Sequence, residues 1–373
     1  MKWFGRKAGR EESRPALSRG GSVALIGEWP RSYEAQVREA YLGNPVAQRA
    51  VKLVSEGVGG APLSASVPEL AALVNARSGG QALLETVAAQ LLLHGNAYLQ
   101  ILAREDEAVS ELFALRPERV TVEPDAGGWP VAYRYRVGAH VARLTAEDAG
   151  GRPAVVHIKA FNPVDDHYGL GCLSAAAGAV AVHNAAARWN KALLDNAARP
   201  SGALVYDPGD GAVMSPDQFA RLRAEMEAGF AGAANAGRPM LLEGGLKWQA
   251  MSLTPADMDF VGLKAAAARE IALAFGVPPM LMGLPGDAAY ANYREANRAL
   301  WRLAILPLAE KILGGISQAL GGWFPGAAIS VDLDRVTALS EDRERLWRQV
   351  SAADFLSPEE KRAMLGVGLG VGS

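Results

Sequence analysis

Cysteine occurs once in the 373 residues, at Cys172, which excludes a disulfide framework and a multi-thiolate metal site. Histidine is scarce as well: the five, His94, His140, His157, His167 and His183, lack the spacing that holds zinc. No Gly-Lys dipeptide occurs, so there is no loop ending in Gly-Lys-Ser/Thr to cradle phosphates and Mg²⁺, and the chain is not expected to burn ATP. An excess of positive charge is missing too. The 38 Lys and Arg stand against 40 Asp and Glu, a formal charge of -2, whereas tight DNA binding draws mostly on phosphate neutralisation. If DNA is a partner, it is not gripped by a basic slab. No stretch is expected to reach the ~18 to 20 apolar residues of a membrane span; the longest candidate, Cys172 to Val182, is alanine-rich and stops at His183. The N-terminus, MKWFGRKAGREESRPALSRGG, is basic but lacks the apolar region of a secretory signal. These absences predict a soluble protein made in the cytoplasm.

Half of the residues are apolar, enough at this length for two or three substructures around a buried core. Residues 1–28 are Gly-, Arg- and Ser-rich and read as a flexible basic tail. NPVAQRAVKLVSEGVGG begins a helix at Pro45 after Asn44 and ends it at paired glycines. LLETVAAQLLLHGNAYLQIL keeps the helical period, breaks at Gly95-Asn96 and resumes as a strand. From Phe113 to Phe161 short extended pieces follow, RVTVEP, YRYRV and VVHIKAF, so this region is α+β. A helix from Gly169 to about Ala198 is ended by Pro200-Ser201-Gly202. The strand ALVYD, a helix capped by Ser215 with Pro216 first, and two strands in RPMLLEGGLKWQAMSL joined at Gly244-Gly245 form a small insert. Neither an internal repeat nor a sustained heptad is present.

Thr254-Pro255 starts a second long helix that runs to Phe275. Phe260, Leu263, Ala267, Ile271 and Ala274 share one arc for packing, and Arg269 lies opposite, facing water or a lumen. FGVPPMLMG then makes a stiff, apolar loop. Gly276 can take the left-handed conformation that ends a helix, Val277 is pushed extended by the next residue, and Pro278-Pro279 fix two φ angles. Taken alone, this is a helix-helix connection. Asn292 with Glu295 suggests a capping box for the helix that follows, in which Pro307 should introduce a kink. AISVDLDRV alternates with period two, so Ile329, Val331 and Leu333 should face a core. Two capped helices begin near Ser340 and Ser357.

Catalytic constellations are weak. The Asp165-Asp166-His167 cluster is tempting for a metal or acid-base role, yet acidic residues ahead of a helix are ordinarily solvated or capping. Ser174 and His183 could be imagined as nucleophile and base, without a G-x-S-x-G elbow around the serine. Cys172 sits in an apolar context and reads as a small hydrophobe rather than a thiolate. Tyr133, Arg134, Tyr135 and Arg136 alternate as a stacking surface for single strands would, and also as any two-faced strand would.

Seven pieces in order resemble the portal proteins of tailed bacteriophages of the HK97-like family, from about Tyr41 to Asp342. They are NPVAQRAVKLVSEGVGGAPL, LLLHGNAYLQIL, FALRPERVTVE, HIKAF to GLGCLSAA, NAARPSGAL, REIALAFGVPPMLMG, and YANYREANRALWRLAILPLAEKI. The compact length and Ala, Arg and Gly usage are similar to the portals of gene transfer agents. The resemblance implies an α+β portal fold in a ring-shaped homo-dodecamer at one capsid vertex, with no cofactor. Its partners would be the major capsid protein, the terminase large subunit, a head-tail adaptor protein and double-stranded DNA in the channel, with no membrane. It divides the chain into a wing (29–168), stem helices (169–200 and 254–276), a clip (201–253), a tunnel loop (277–291), a kinked helix and wing strand (292–339), and a short crown and tail (340–373). The tunnel loop would carry Val277, Pro278, Pro279, Met280, Leu281, Met282, Gly283, Leu284 and, at its tip, Asp287. Arg269 would face the stem lumen, and Arg221, Arg223, Glu225, Glu227 and Lys247 would be the clip's candidates for partner binding. The competing readings are a small hydrolase using Ser174 and His183, and a structural protein held on a membrane surface by its basic N-terminus.

Overall fold

The computed structural model describes residues 32–104, 108–195, 202–207, 214–230, 246–250, 260–284 and 290–366, together with Leu17. They fall into two compact units, one of Met1–Ala177 with Ala272–Ser373 and one of Gly178–Ile271.

In the first unit a short helix, Tyr33–Val37, runs into a π-helical turn, Arg38–Leu42. Helix α1 (Pro45–Gly59) starts where the sequence predicts, because Asn44 Oδ1 accepts from the backbone N–H of Val46 and Ala47, both at 3.0 Å. Strand β1 (Leu63–Ala65) and helix α2 (Leu83–His94) follow. Gly95, at φ 81°, ends α2 and turns the chain into β2 (Asn96–Ala103). Five strands complete this half: β3 (Val109–Leu115), β4 (Val120–Pro124), β5 (Pro130–Val137), β6 (His140–Thr145) and β7 (Val155–Lys159).

Helix α3 (Cys172–Asp195) starts three residues later than the sequence suggests. Gly169 is used for close packing instead: a Cβ there would lie 2.1 Å from the Gly95 carbonyl oxygen and 2.7 Å from the Ala160 nitrogen. In the second unit β8 (Gly202–Tyr206) precedes α4 (Pro216–Phe230) and β9 (Leu246–Ala250), and β8 pairs antiparallel with β9. Ser215 and Gln218 close a reciprocal cap on α4. The expected strand in RPMLL, the Gly244-Gly245 turn and the Thr254-Pro255 start lie outside the described residues.

Helix α5 (Phe260–Ala274) brings the chain back to the first unit, where α6 (Tyr290–Leu300), a π-helical turn (Trp301–Ile305) and α7 (Leu306–Leu320) follow. The start of α6 corrects the expected capping box, since Asn292 and Glu295 lie inside the helix and Glu295 pairs with Arg298. Pro307 acts one turn upstream of itself. It has no N–H to offer the preceding turn, and the helix widens at Trp301–Ile305 to accommodate it. Strand β10 (Ile329–Val331) buries Ile329 and Val331 but ends before Leu333, which lies in a 3-10 turn capped by Asp332. Helix α8 (Ser340–Ser351) has Ser340 as its first residue with no side-chain cap, whereas Ser357 and Glu360 form a full capping box on α9 (Pro358–Leu365).

Four antiparallel sheets lie in this unit: β3-β2-β7, β4-β5-β6, β1 paired with β10, and a two-residue hairpin of Arg77–Ser78 with Gln81–Ala82. Tyr98, Leu115, Val120, Val122, Tyr133 and Val155 form a core shared by the two three-stranded sheets. Helix α1 packs on α2, and α7 packs on both helices and on β7. Gly57 admits this arrangement, because a Cβ there would come within 2.4 Å of Ile305 Cδ1. Contrary to the sequence reading, Asn292–Leu320 is long and apolar enough to cross a membrane, with a mean hydropathy of 1.3. Part of its apolar surface is spent internally: Leu300, Ile305, Ala309, Ile312, Leu313 and Ile316 are buried in the unit, while Leu303 is 76 % exposed.

Candidate functional site

The FGVPPMLMG stretch grows from the end of α5. Gly276, at φ 67°, donates to the Leu273 carbonyl at 3.0 Å, and Val277 N–H reaches back to Ala272 at 2.9 Å. These are the two bonds of a Schellman motif, with Val277 and Ala272 both buried as its apolar contact. Pro278 is extended, Pro279–Met282 form one 3-10 turn, and Gly283 at φ 69° closes it. The turn packs against α1 and α6.

This geometry sorts the loop's side chains. Val277 and Leu281 are buried within their own unit and anchor the turn, while Pro278, Pro279, Met280, Met282 and Leu284 are half-buried and Gly283 is exposed. Asp287 lies outside the described residues. On α5 the buried face is turned toward Ala268 and Ala272 relative to the expected arc, with Ala267 and Ile271 still inside and Leu263 44 % exposed. Arg269 is half-buried and donates to the Ala265 carbonyl at 3.4 Å. In the second unit Arg221, Arg223 and Glu225 are exposed on α4, and Lys247 on β9 pairs with Asp207 at 3.6 Å. Of Glu227 only the backbone belongs to the described structure, as part of α4.

The catalytic candidates dissolve into structure. Asp165 Oδ1 accepts from the N–H groups of His167 and Tyr168, and His167 Nε2 meets the Gly128 carbonyl, so the cluster is a turn cap. Among the described residues no group of three His, Cys, Asp or Glu is placed to hold a metal. Ser174 and His183 sit nine residues apart on α3, about 13 Å along its axis, too far for proton transfer. Burial pushes the half-buried Cys172 thiol up, away from thiolate character. Tyr133 is buried on β5, while Arg134 points outward to Glu123 at 2.9 Å, so YRYR is a two-faced strand.

Sequence reasoning missed two features. Buried Asn96 stitches the start of β2 to the segment before α3: Oδ1 accepts from Gly169 N–H at 2.8 Å and meets His157 Nε2 at 3.0 Å, while Nδ2 donates to the Gly169 carbonyl at 3.2 Å. Desolvation lowers His94 to about 4 and, with Lys159 nearby, His157 to about 3. An Asn after a helix-ending Gly was the only local signal. The second is a charge clamp between α6 and α8: Glu341 takes Arg294 at 2.9 Å and Arg298 at 2.6 Å, and Asp342 lies 3.6 Å from Arg298. No sequence spacing links residues so far apart.

A mixed helix-and-sheet fold with an apolar turn after α5 and an α/β insert between two helices is the architecture of portal proteins. The sequence profile of the phage portal protein family matches residues 45–366, and the chain belongs to that family. An uncharacterized protein of Rickettsia felis is 39 % identical over 345 residues, covering 88 % of each chain, and a probable portal protein of Streptomyces phage phiC31 is 27 % identical, covering 94 % of this chain and 79 % of its own. Among solved structures, a chain in the neck of a native gene transfer agent particle, computed with C12 symmetry, is 49 % identical, with TM-score 0.69 over 91 % of this chain and 94 % of that one. An HK97 family phage portal protein from Corynebacterium diphtheriae shares the fold at 17 % identity, with TM-score 0.59 over 82 % of this chain and 96 % of its own.

Proposed function

We propose that this chain is the portal subunit of a phage-like particle, a gene transfer agent or a phage, closing with its copies into a twelve-membered ring at one capsid vertex. The ring is the channel through which DNA enters during packaging and leaves on ejection. The observation that carries this reading is the match, over nearly the whole of both chains, to a chain in a twelve-fold particle neck.

Within that ring α3 and α5 are the stem, with Arg269 toward the lumen, and the β8-α4-β9 unit is the clip. Its exposed Arg221, Arg223, Glu225 and Lys247 are candidates to meet terminase first and the head-tail adaptor later. The wing faces the major capsid protein. Val277 and Leu281 anchor the tunnel loop, and Met280, Met282 and Leu284 approach the duplex. Apolar side chains suit this place, because each phosphate contact made by a cation would have to be broken at every step of translocation. The chain carries no motor of its own in this reading; the energy comes from a separate ATPase.

Cryo-electron microscopy of the purified protein tests the proposal. Rings viewed down their axis, with a central hole wide enough for duplex DNA, are the expected outcome. A compact closed dimer without a channel would overturn it.

A further inference from the structure

The loop between β7 and α3, residues 160–171, is tied down far more heavily than a surface connection requires. Asn162 Nδ2 donates to the Tyr168 carbonyl at 2.8 Å and its Oδ1 accepts from Val164 N–H at 3.1 Å. Tyr168 Oη accepts from Val122 N–H at 3.0 Å, Asp165 caps two backbone N–H groups, Lys159 Nζ donates to the Asp166 carbonyl, and Asn96 holds both polar groups of the Gly169 backbone. What this frame displays is apolar: Phe161 is 82 % exposed, and Val164 and Leu170 are each 50 % exposed. A rigid loop that holds a phenylalanine in water has already met the ordering cost of binding.

A cleft lies in the same unit. Leu73, Val109, Trp323 and Phe324 give an open cleft of about 650 Å³ its apolar wall, and Glu69, Arg104, Ser110 and Arg152 line it as well. Arg152 covers the Trp323 ring, 4.9 Å from its centroid, and the indole Nε1 is buried with no hydrogen-bond partner among the described residues.

The sheet places loop and cleft at opposite ends. Along β2, Asn96 pairs with Lys159, two residues before Phe161, and Ala103 pairs with Val109 in the cleft. Eight strand residues separate these ends by about 24 Å. A projection and a cleft at opposite ends of one sheet cannot meet within it; a contact between them would join two copies head to tail, the type of contact that closes rings. We propose that Phe161 of one copy seats in the Trp323–Phe324 cleft of the next. This contact rests on the ring reading above and specifies which surfaces join.

The test combines two variants of the full chain. Phe161→Asp changes an exposed residue and leaves the fold intact by circular dichroism; it is expected to raise the concentration for half-assembly by at least about tenfold, read by mass photometry. Phe161→Cys with Ala72→Cys, in a Cys172→Ala background and treated with a short bis-maleimide, is expected to give a ladder of linked copies extending beyond the dimer. Rings that form without any such ladder, and that Phe161→Asp leaves unweakened, overturn the contact and leave the portal reading standing. A wild-type chain that stays monomeric overturns both.

Discussion

Asn96, His94 and His157 are the polar hub of an otherwise apolar junction, and their behaviour sets a pH dependence. Both histidines are neutral in the folded state with values near 4 and 3, against 6.5 unfolded, so between these limits the unfolded chain binds more protons. Stability therefore rises with pH across that window and is lost on acidification, by up to about 1.4 kcal/mol per pH unit for each histidine. Urea denaturation at pH 7, 6 and 5 checks this; His157→Gln should flatten the slope, and an unchanged slope would contradict the assignment. Gly169 carries the other residue-scale prediction. Its missing Cβ is replaced by backbone of Gly95 and Ala160, atoms that cannot swing aside, so Gly169→Ala should cost at least about 3 kcal/mol, seen as a large fall in Tm or as insoluble protein. The sequence exposes Gly169 as a glycine near a helix start; only the contact explains why the helix waits until Cys172.

At the scale of elements, caps were legible and faces were not. Asn44, Gly95, Ser215, Gly276 and Ser357 all end or begin helices as their residue types suggest, because each acts on N–H or C=O groups within a few residues. Asn292 and Ser340 have the same chemistry and no cap role, since the helix beyond them is decided by packing. The π-helical turn ahead of Pro307 brings Ile305 against Gly57, and this crossing can be tested. Gly57→Ala should destabilise by about 1 to 2 kcal/mol despite alanine's better helix propensity. Ile305→Val removes the clashing methyl, so the double variant should be about 1 kcal/mol more stable than the sum of the single changes. Strict additivity in chemical denaturation would mean that the helices do not meet there.

For the whole molecule, the turn after α5 divides into buried anchors, Val277 and Leu281, and half-buried side chains that the proposed ring would turn toward the channel, and the two groups should respond differently. Leu281→Ala should lower the stability of the protomer by about 2 to 3 kcal/mol. Met280→Ala with Met282→Ala should leave Tm within a few degrees of wild type while reducing the DNA packaged per particle. Wild-type packaging by that double variant would remove the side chains from the DNA path. The sequence by itself determined the composition that leaves no P-loop and no basic slab, the helix caps, the strand alternation and the ordered motifs that resemble portals. All of these are local, or are strings that survive without coordinates. Only the tertiary structure decided that Val277 and Leu281 point inward, that Leu300, Ile305, Ile312, Leu313 and Ile316 of the long apolar helix are buried, and that Phe161 is exposed at the far end of the sheet from the Trp323–Phe324 cleft. Burial is a relation between segments far apart in the chain, and no property of one segment contains it.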